Sequence, residues 1–178
     1  MIALAAVLSL VKVYKLPWGG SITLLSMVPI CLFSIKRGFL AGMAVSFVYS
    51  VVQLLLDLGE VLSWGLTAGT LIACFALDYI LAYTMLGTAG AFRKHGTKGW
   101  VIGCIMALSL RFLMHFFSGV FIWESVGEVW GFETSSKYVY SALYNGSYML
   151  PELVFTTIAV VALFKLTPIK RLLVAKAG

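Results

Sequence analysis

Apolar residues occur along this chain in six long runs, separated by short segments rich in charge or glycine. The runs cover approximately residues 1–14, 22–35, 38–56, 64–92, 100–123 and 138–164. A helix needs about 20 consecutive, mostly apolar residues to cross a bilayer, so runs of this kind are typical of transmembrane helices. The pattern predicts an all-α integral membrane protein with six transmembrane helices, built as a single membrane domain over residues 1–178.

The composition agrees with this interpretation and narrows the possible partners. Hydrophobic residues make up 61% of the chain and charged residues 11%, whereas about a quarter of the residues of a soluble domain are charged. The lipid bilayer is therefore the expected surrounding, and no nucleic-acid partner is expected. With 178 residues, the chain is small for a transporter that works alone.

The basic residues predict the direction of the chain through the membrane. Nine of them follow the second, fourth and sixth runs, with no acid among them: Lys36, Arg37, Arg93, Lys94, Lys98, Lys165, Lys170, Arg171 and Lys176. Lys and Arg are enriched in cytoplasmic loops. We therefore expect both termini to be cytoplasmic.

The acidic residues collect on the other side. Asp57 and Glu60 are expected in the loop after the third run, and Glu124, Glu128 and Glu133 follow the fifth run, against a single Lys137. Clustered acids concentrate cations by electrostatic focusing. The sequence thus predicts an acidic mouth that faces outward, although membrane topology alone also explains such an asymmetry.

Four ionisable residues remain within the runs: Asp78, Arg111, His115 and Glu152. An unpaired charge at the bilayer centre costs on the order of 3 kcal/mol or more, so such residues normally face a protein interior or a wet cavity. We interpret Arg111 as a structural residue that pairs with Asp78 or Glu152. Asp78 and His115 are predicted to face a ligand.

Helical spacing extends this predicted interior into two polar and aromatic stripes. The stripe on the fifth run contains Arg111, His115, Ser118, Gly119 and Trp123, and that on the sixth contains Ser141, Asn145, Tyr148 and Glu152, beside Tyr140 and Tyr144. Aromatic faces attract cations, and Asn and His side chains both donate and accept hydrogen bonds. The stripes predict a pocket for a small cationic or heteroaromatic ligand. The alternative is a core histidine with aromatic residues of the membrane interface.

Catalytic and metal chemistry find little support in the sequence. Cys31, Cys74 and Cys104 lie singly in apolar runs, which indicates neither a disulfide framework nor a zinc site. Ser118 and His115 are three residues apart on one helix, which is poor geometry for a nucleophile and its base. We expect no enzyme activity, no metal and no cofactor.

Five segments occur along the chain in this order: WGGS, PICLFSIKRG, LDY with GTAGAF, RFLMHFFSGVFIW and YSALYNGSYMLPE. In this order they resemble the thiamine-specific S-component of energy-coupling factor (ECF) transporters. The similarity covers nearly the whole chain. It implies a six-helix protein of the bacterial plasma membrane that binds thiamine from outside. It also implies a transmembrane coupling protein and two cytoplasmic ATPase subunits as partners that deliver the vitamin.

The resemblance also implies roles for individual residues. It places ligand contacts at Trp18, Asp78, Tyr79, His115, Trp123, Tyr140 and Asn145, and Tyr144 lies beside them. A family motif of small residues that faces the coupling protein is only partly represented, by Ala3, Ala5 and Ala6, which indicates a start upstream of the printed Met1. Asp78 replaces the longer glutamate of a family member, and the resemblance assigns no role to Glu152.

Three other functions stay open at this point. An S-component with the same fold could bind another vitamin. A carrier acting alone would use Asp78 and Glu152 as proton sites. A membrane enzyme is the least favoured of the three.

Overall fold

The computed structural model describes residues 1–166, and their side chains as far as Phe164. This part of the chain is mainly helical and contains two short β-hairpins. The helices are α1 (Ile2–Leu10), α2 (Val28–Arg37), α3 (Phe39–Leu62), α4 (Ala68–Gly90), α5 (Arg93–Trp123) and α6 (Lys137–Leu166). The antiparallel strand pairs are β1 (Lys12–Lys15) with β2 (Ser21–Thr23), and β3 (Gly127–Val129) with β4 (Phe132–Thr134).

Helices α3 to α6 are the ones, among the described residues, that are long and apolar enough to cross a membrane. They confirm the helices predicted from the last four apolar runs. Helices α1 and α2 have 9 and 10 residues, whereas a helix that crosses the whole bilayer needs about 20 residues. Six spans therefore stay a prediction, and the first run ends earlier than expected because residues 12–15 form a strand.

Three of the helices depart from the expected bounds or from regular α geometry. Helix α3 runs to Leu62, so Asp57 and Glu60 lie in its last turns and not in the predicted loop. Helix α4 contains a π-helical segment, Phe75–Leu81, and α5 ends in another, Gly119–Trp123. Such wide turns often occur at functional sites, because they redirect the side chains that they carry.

Two chain turns mark the basic end of the helix bundle. The guanidinium of Arg93, at the start of α5, donates to the carbonyl of Lys36, at the end of α2, over 3.1 Å. Arg37, the last residue of α2, and Lys94 and Lys98, in the first turns of α5, lie at the same end. The side chain of Lys165 and all of Lys170, Arg171 and Lys176, which also entered the orientation prediction, lie outside the described residues.

The apolar core fills the half of the bundle near this basic end. Its fully buried members come from several helices, including Ile30, Leu86 and Cys104, and the rings of Trp100 and Phe164 lie 4.1 Å apart. All three cysteines are free and buried.

The opposite end of the bundle, where α3 and α5 end and α4 and α6 begin, carries both hairpins. The two hairpins are in contact through Tyr14 and Trp130, whose ring centroids lie 6.2 Å apart.

Candidate functional site

A cavity of about 320 Å³ opens at the hairpin end of the bundle, a size within the range of small-molecule sites. All eight side chains predicted to contact a ligand line it: Trp18, Asp78, Tyr79, His115, Trp123, Tyr140, Tyr144 and Asn145. They come from the connection between β1 and β2 and from α4, α5 and α6. The tertiary structure therefore brings the predicted residues together around one space.

Asp78 and His115 form the polar centre of this cavity. The carboxylate of Asp78 accepts a hydrogen bond from His115 Nδ1 over 2.9 Å and another from the hydroxyl of Ser118. Since Nδ1 donates to the carboxylate, Nε2 of a neutral His115 is an acceptor, and this buried atom has no partner among the described residues. The pair thus offers a fixed negative charge and one free acceptor.

Asn145 connects α5 to α6 in addition to lining the cavity. Its amide nitrogen donates to the carbonyl of Ser141 over 3.0 Å and lies 3.2 Å from the carbonyl of His115. Its oxygen accepts from the hydroxyl of Tyr148 over 2.7 Å. Both edges of the amide are therefore engaged within the protein, and a direct contact of Asn145 with a ligand stays a prediction.

Tryptophan rings cover the cavity where it opens. Trp123 lies 5.8 Å from Trp18 and 5.3 Å from Trp64, centroid to centroid. Trp18 is 58% exposed and has a left-handed backbone (φ 64°), which turns the chain over the opening. Trp64 also lines the cavity but was not predicted from the sequence, since it lies in the short α3–α4 connection, outside any helical stripe.

Tyrosines hold the Trp18 segment against α6. The hydroxyl of Tyr144 donates to the carbonyl of Pro17 and accepts from the N–H of Gly20 over 3.3 Å. The rings of Tyr140 and Tyr144 are stacked 6.3 Å apart, with 10° between their planes. A side chain at position 20 would meet the Tyr148 ring at about 2.9 Å, so Gly20 allows the close approach.

Arg111 does not form the direct ion pair with Asp78 or Glu152 that the sequence predicted. Its guanidinium lies 4.1 Å from the centroid of the Tyr83 ring and donates to the sulfur of Met27 over 2.8 Å. Asp78 and one oxygen of Glu152 accept hydrogen bonds from other groups, and Arg111 is only 6% exposed. It lines the cavity, and its charge is stabilised by an aromatic face instead of a carboxylate.

Glu152, which had no assigned role, anchors the first hairpin. This side chain is fully buried, and one carboxylate oxygen accepts from the backbone N–H of Thr23 over 2.5 Å and from its hydroxyl over 2.7 Å. Thr23 is the last residue of β2. The buried acid therefore ties α6 to the strand that follows the Trp18 segment.

The predicted acidic mouth is partly neutralised, because β1 brings two lysines to this end of the molecule. Lys12 pairs with Asp57 at 3.5 Å, Lys15 with Glu60 at 2.9 Å, and Lys137 with Glu124 at 2.5 Å. Glu128 and Glu133 face each other across β3 and β4. The five acids of this end still outnumber its three lysines, so the mouth is less acidic than the sequence predicted, because that prediction counted Lys137 alone among the cations.

The three alanines proposed to face a partner protein do not share one accessible face. Ala5 is fully buried and belongs to the apolar core, so it is not available for a partner in this structure. Ala3 is exposed and Ala6 is half-buried. Contact of Ala3 and Ala6 with a partner stays a prediction.

Comparison with known proteins gives a consistent set of matches. Residues 1–171 match the family described as "Thiamine transporter protein (Thia_YuaJ)". The chain is similar to thiamine transporter ThiT of Bacillus subtilis (28% identity, covering 94% of this chain and 88% of the relative). It is also similar to ThiT of Lacticaseibacillus paracasei (26% identity; 85% and 76%). A solved structure of ThiT from Listeria monocytogenes has the same fold, with a TM-score of 0.74 and 23% identity over 94% of this chain and 90% of that one.

Proposed function

The chain belongs to the thiamine transporter protein family, and from this premise we propose that its cavity is the thiamine-binding site of an ECF-type importer. It is a transport protein of the bacterial plasma membrane with several membrane-spanning helices, and not an enzyme. In the proposed function the chain captures thiamine from outside as the S-component. A coupling protein and two cytoplasmic ATPase subunits then deliver the vitamin.

The convergence of the eight cavity residues carries the proposal, because their chemistry complements both halves of thiamine. Thiamine has a permanently charged thiazolium ring and an aminopyrimidine ring. The faces of Trp123, Trp18 and the cavity tyrosines suit the cation, and the Nε2 atom of His115 suits the amino group. Asp78 is half-buried and lines the cavity, so its negative charge suits a cationic ligand.

Fluorescence titration of the purified protein tests the binding step. We expect thiamine to quench tryptophan emission without ATP. Trp123→Phe should reduce the quench, whereas Trp100→Phe should preserve the ligand-dependent change, since Trp100 packs in the core at the other end.

Asp78→Asn should weaken binding about tenfold to a hundredfold, as expected for the loss of about 1.5–3 kcal/mol from a charged hydrogen bond.

The outcome also separates thiamine from other ligands. A response to riboflavin or biotin with none to thiamine would contradict the assignment. An Asp78→Asn variant that binds thiamine as tightly as the unaltered chain would contradict the role given to the carboxylate.

Transport assays test the proposed partners separately. Uptake into vesicles should require the coupling protein, both ATPase subunits and ATP. Uptake by the chain alone, driven by a proton gradient, would instead favour the stand-alone carrier, in which Asp78 and Glu152 exchange protons. The buried Glu152 oxygen that has no partner among the described residues is the observation that keeps this alternative worth testing.

A further inference from the structure

A second cavity lies at the basic end of the bundle, between the α2–α3 and α4–α5 connections. Its volume is about 290 Å³. Its larger lining side chains are Arg37, Phe39, Leu40, Arg93 and Lys94. It shares no residue with the proposed thiamine cavity, so any ligand that it binds has a separate role.

The positive charge of this cavity has no acidic counterpart in the chain. All seven acids lie along the thiamine cavity, in α6 or in the hairpin end: Asp57, Glu60, Asp78, Glu124, Glu128, Glu133 and Glu152. Among the described residues, no hydrogen bond or ion pair involves the side chains of Arg37 and Lys94. Arg93 donates to a backbone carbonyl. These cations are exposed and therefore available to an anion from outside the protein.

The cavity is partly preorganised by the position of Arg93. Besides its bond to the Lys36 carbonyl, the guanidinium packs on Gly38. A side chain at position 38 would approach Arg93 Cζ to about 3.1 Å, and the φ of Gly38 is 92°. Glycine thus serves two purposes here, since it adopts the left-handed backbone and leaves room for the guanidinium.

Apolar surface adjoins the three cations at the start of α3. Leu40 is 81% exposed and Phe39 is 44% exposed, at the end of a helix long enough to span the membrane. A soluble anion would use only the cations of this cavity. A phospholipid would use both features, because its headgroup carries the charge and its acyl chains cover the apolar side chains.

We propose that this cavity binds an anionic phospholipid of the membrane leaflet at the basic end. Arg37, Arg93 and Lys94 contact the headgroup phosphate, and the acyl chains lie along Phe39 and Leu40. Basic pockets between transmembrane helices recognise anionic headgroups in this way. The inference does not depend on the identity of the transported solute.

Native mass spectrometry of the detergent-purified protein, with phosphatidylglycerol or phosphatidylcholine added, tests the site. We expect one phosphatidylglycerol to be retained in preference to phosphatidylcholine. Arg37→Gln and Lys94→Gln should each weaken this retention about fivefold, the effect expected for one cation at a membrane surface. Lys98→Gln is the matched control, because Lys98 lies at the same end but outside the cavity.

Each outcome bears directly on the proposal. Equal retention by all variants, or an equal loss in Lys98→Gln, would overturn a localised site in favour of general attraction of the lipid to the basic surface. Displacement of the lipid by millimolar inorganic phosphate would show a soluble-anion site and overturn the lipid assignment. The thermal unfolding of each variant is monitored by tryptophan fluorescence. A variant that retains less lipid but melts at the same temperature as the unaltered chain has lost the lipid site and not its fold.

Discussion

At the scale of single residues, the charges inside the membrane are stabilised by partners of different kinds. Asp78 accepts from His115 and Ser118, and Arg111 lies against the Tyr83 ring. Glu152 accepts two hydrogen bonds from Thr23. Because a buried charge is costly unless it is paired or hydrogen-bonded, each of these contacts constrains the helix or hairpin that supplies it.

Glu152 gives a prediction that joins stability to binding. Glu152→Gln keeps the size of the side chain but removes the charge that strengthens both bonds from Thr23. We expect a loss of about 1–3 kcal/mol in the free energy of unfolding, together with weaker thiamine binding, since Thr23 ends the hairpin that carries Trp18. Thermal melts and fluorescence titration measure the two effects.

A double-mutant cycle with Thr23→Val checks the mechanism. If the two side chains act through one contact, the double variant should have about the same free energy of unfolding as the less stable of the two single variants. Thr157→Val provides a control on α6, because the Thr157 hydroxyl has no partner among the described residues, and it should change stability little. Fully additive losses from Thr23→Val and Glu152→Gln would argue against a shared contact.

At the scale of elements, the contact between α5 and α6 determines the shape of the proposed thiamine cavity. Gly119 begins the π-helical end of α5 and faces Ser141 and Asn145 of α6. The Asn145 amide bonds to the backbone of both helices. The cavity residues of the two stripes therefore keep their relative positions only while the helices stay this close.

Gly119→Ala should separate these helices. The added methyl would lie about 2.9 Å from the Ser141 Cβ and 3.2 Å from the Asn145 Nδ2, so we expect a loss of about 1–3 kcal/mol from overpacking and reduced thiamine affinity. Gly59→Ala is the matched control in α3, where nothing lies within 4 Å. It should be neutral or stabilise the helix by up to about 1 kcal/mol. Equal melting temperatures for both variants would contradict the close contact.

At the scale of the whole molecule, the two ends of the bundle differ in charge and in shape. The basic end has exposed cations and a packed core behind it, and the other end has hairpins, paired charges and the larger cavity. Lys and Arg favour the cytoplasmic side. The proposed orientation therefore directs the proposed thiamine cavity outward.

Cysteine labelling in intact cells tests this orientation. Ser135→Cys, in an exposed position before α6, should react with a membrane-impermeant maleimide, and Lys98→Cys should react only after the cells are lysed. The three native cysteines are buried, so the background should be low. If Lys98→Cys and not Ser135→Cys were labelled in intact cells, the chain would have the opposite orientation to the one proposed.

Much of this architecture could be predicted from local patterns. The long apolar runs indicated α3 to α6, because a membrane span requires a length of apolar sequence that can be read directly. Helical periodicity grouped His115 with Trp123 and Asn145 with Tyr148, since residues three or four positions apart share one helix face. The family resemblance, which the comparison with known proteins confirmed, also followed from the order of these segments.

The partners of the charged residues were decided only by the tertiary structure. Spacing along a helix indicates which side chains share a face, but the rotation and axial offset between helices decide which faces meet. For this reason Arg111 was wrongly paired with an acid, and Lys12 and Lys15 were not expected beside Asp57 and Glu60. The Glu152–Thr23 contact joins residues 129 positions apart, a distance over which no local pattern in the sequence carries information.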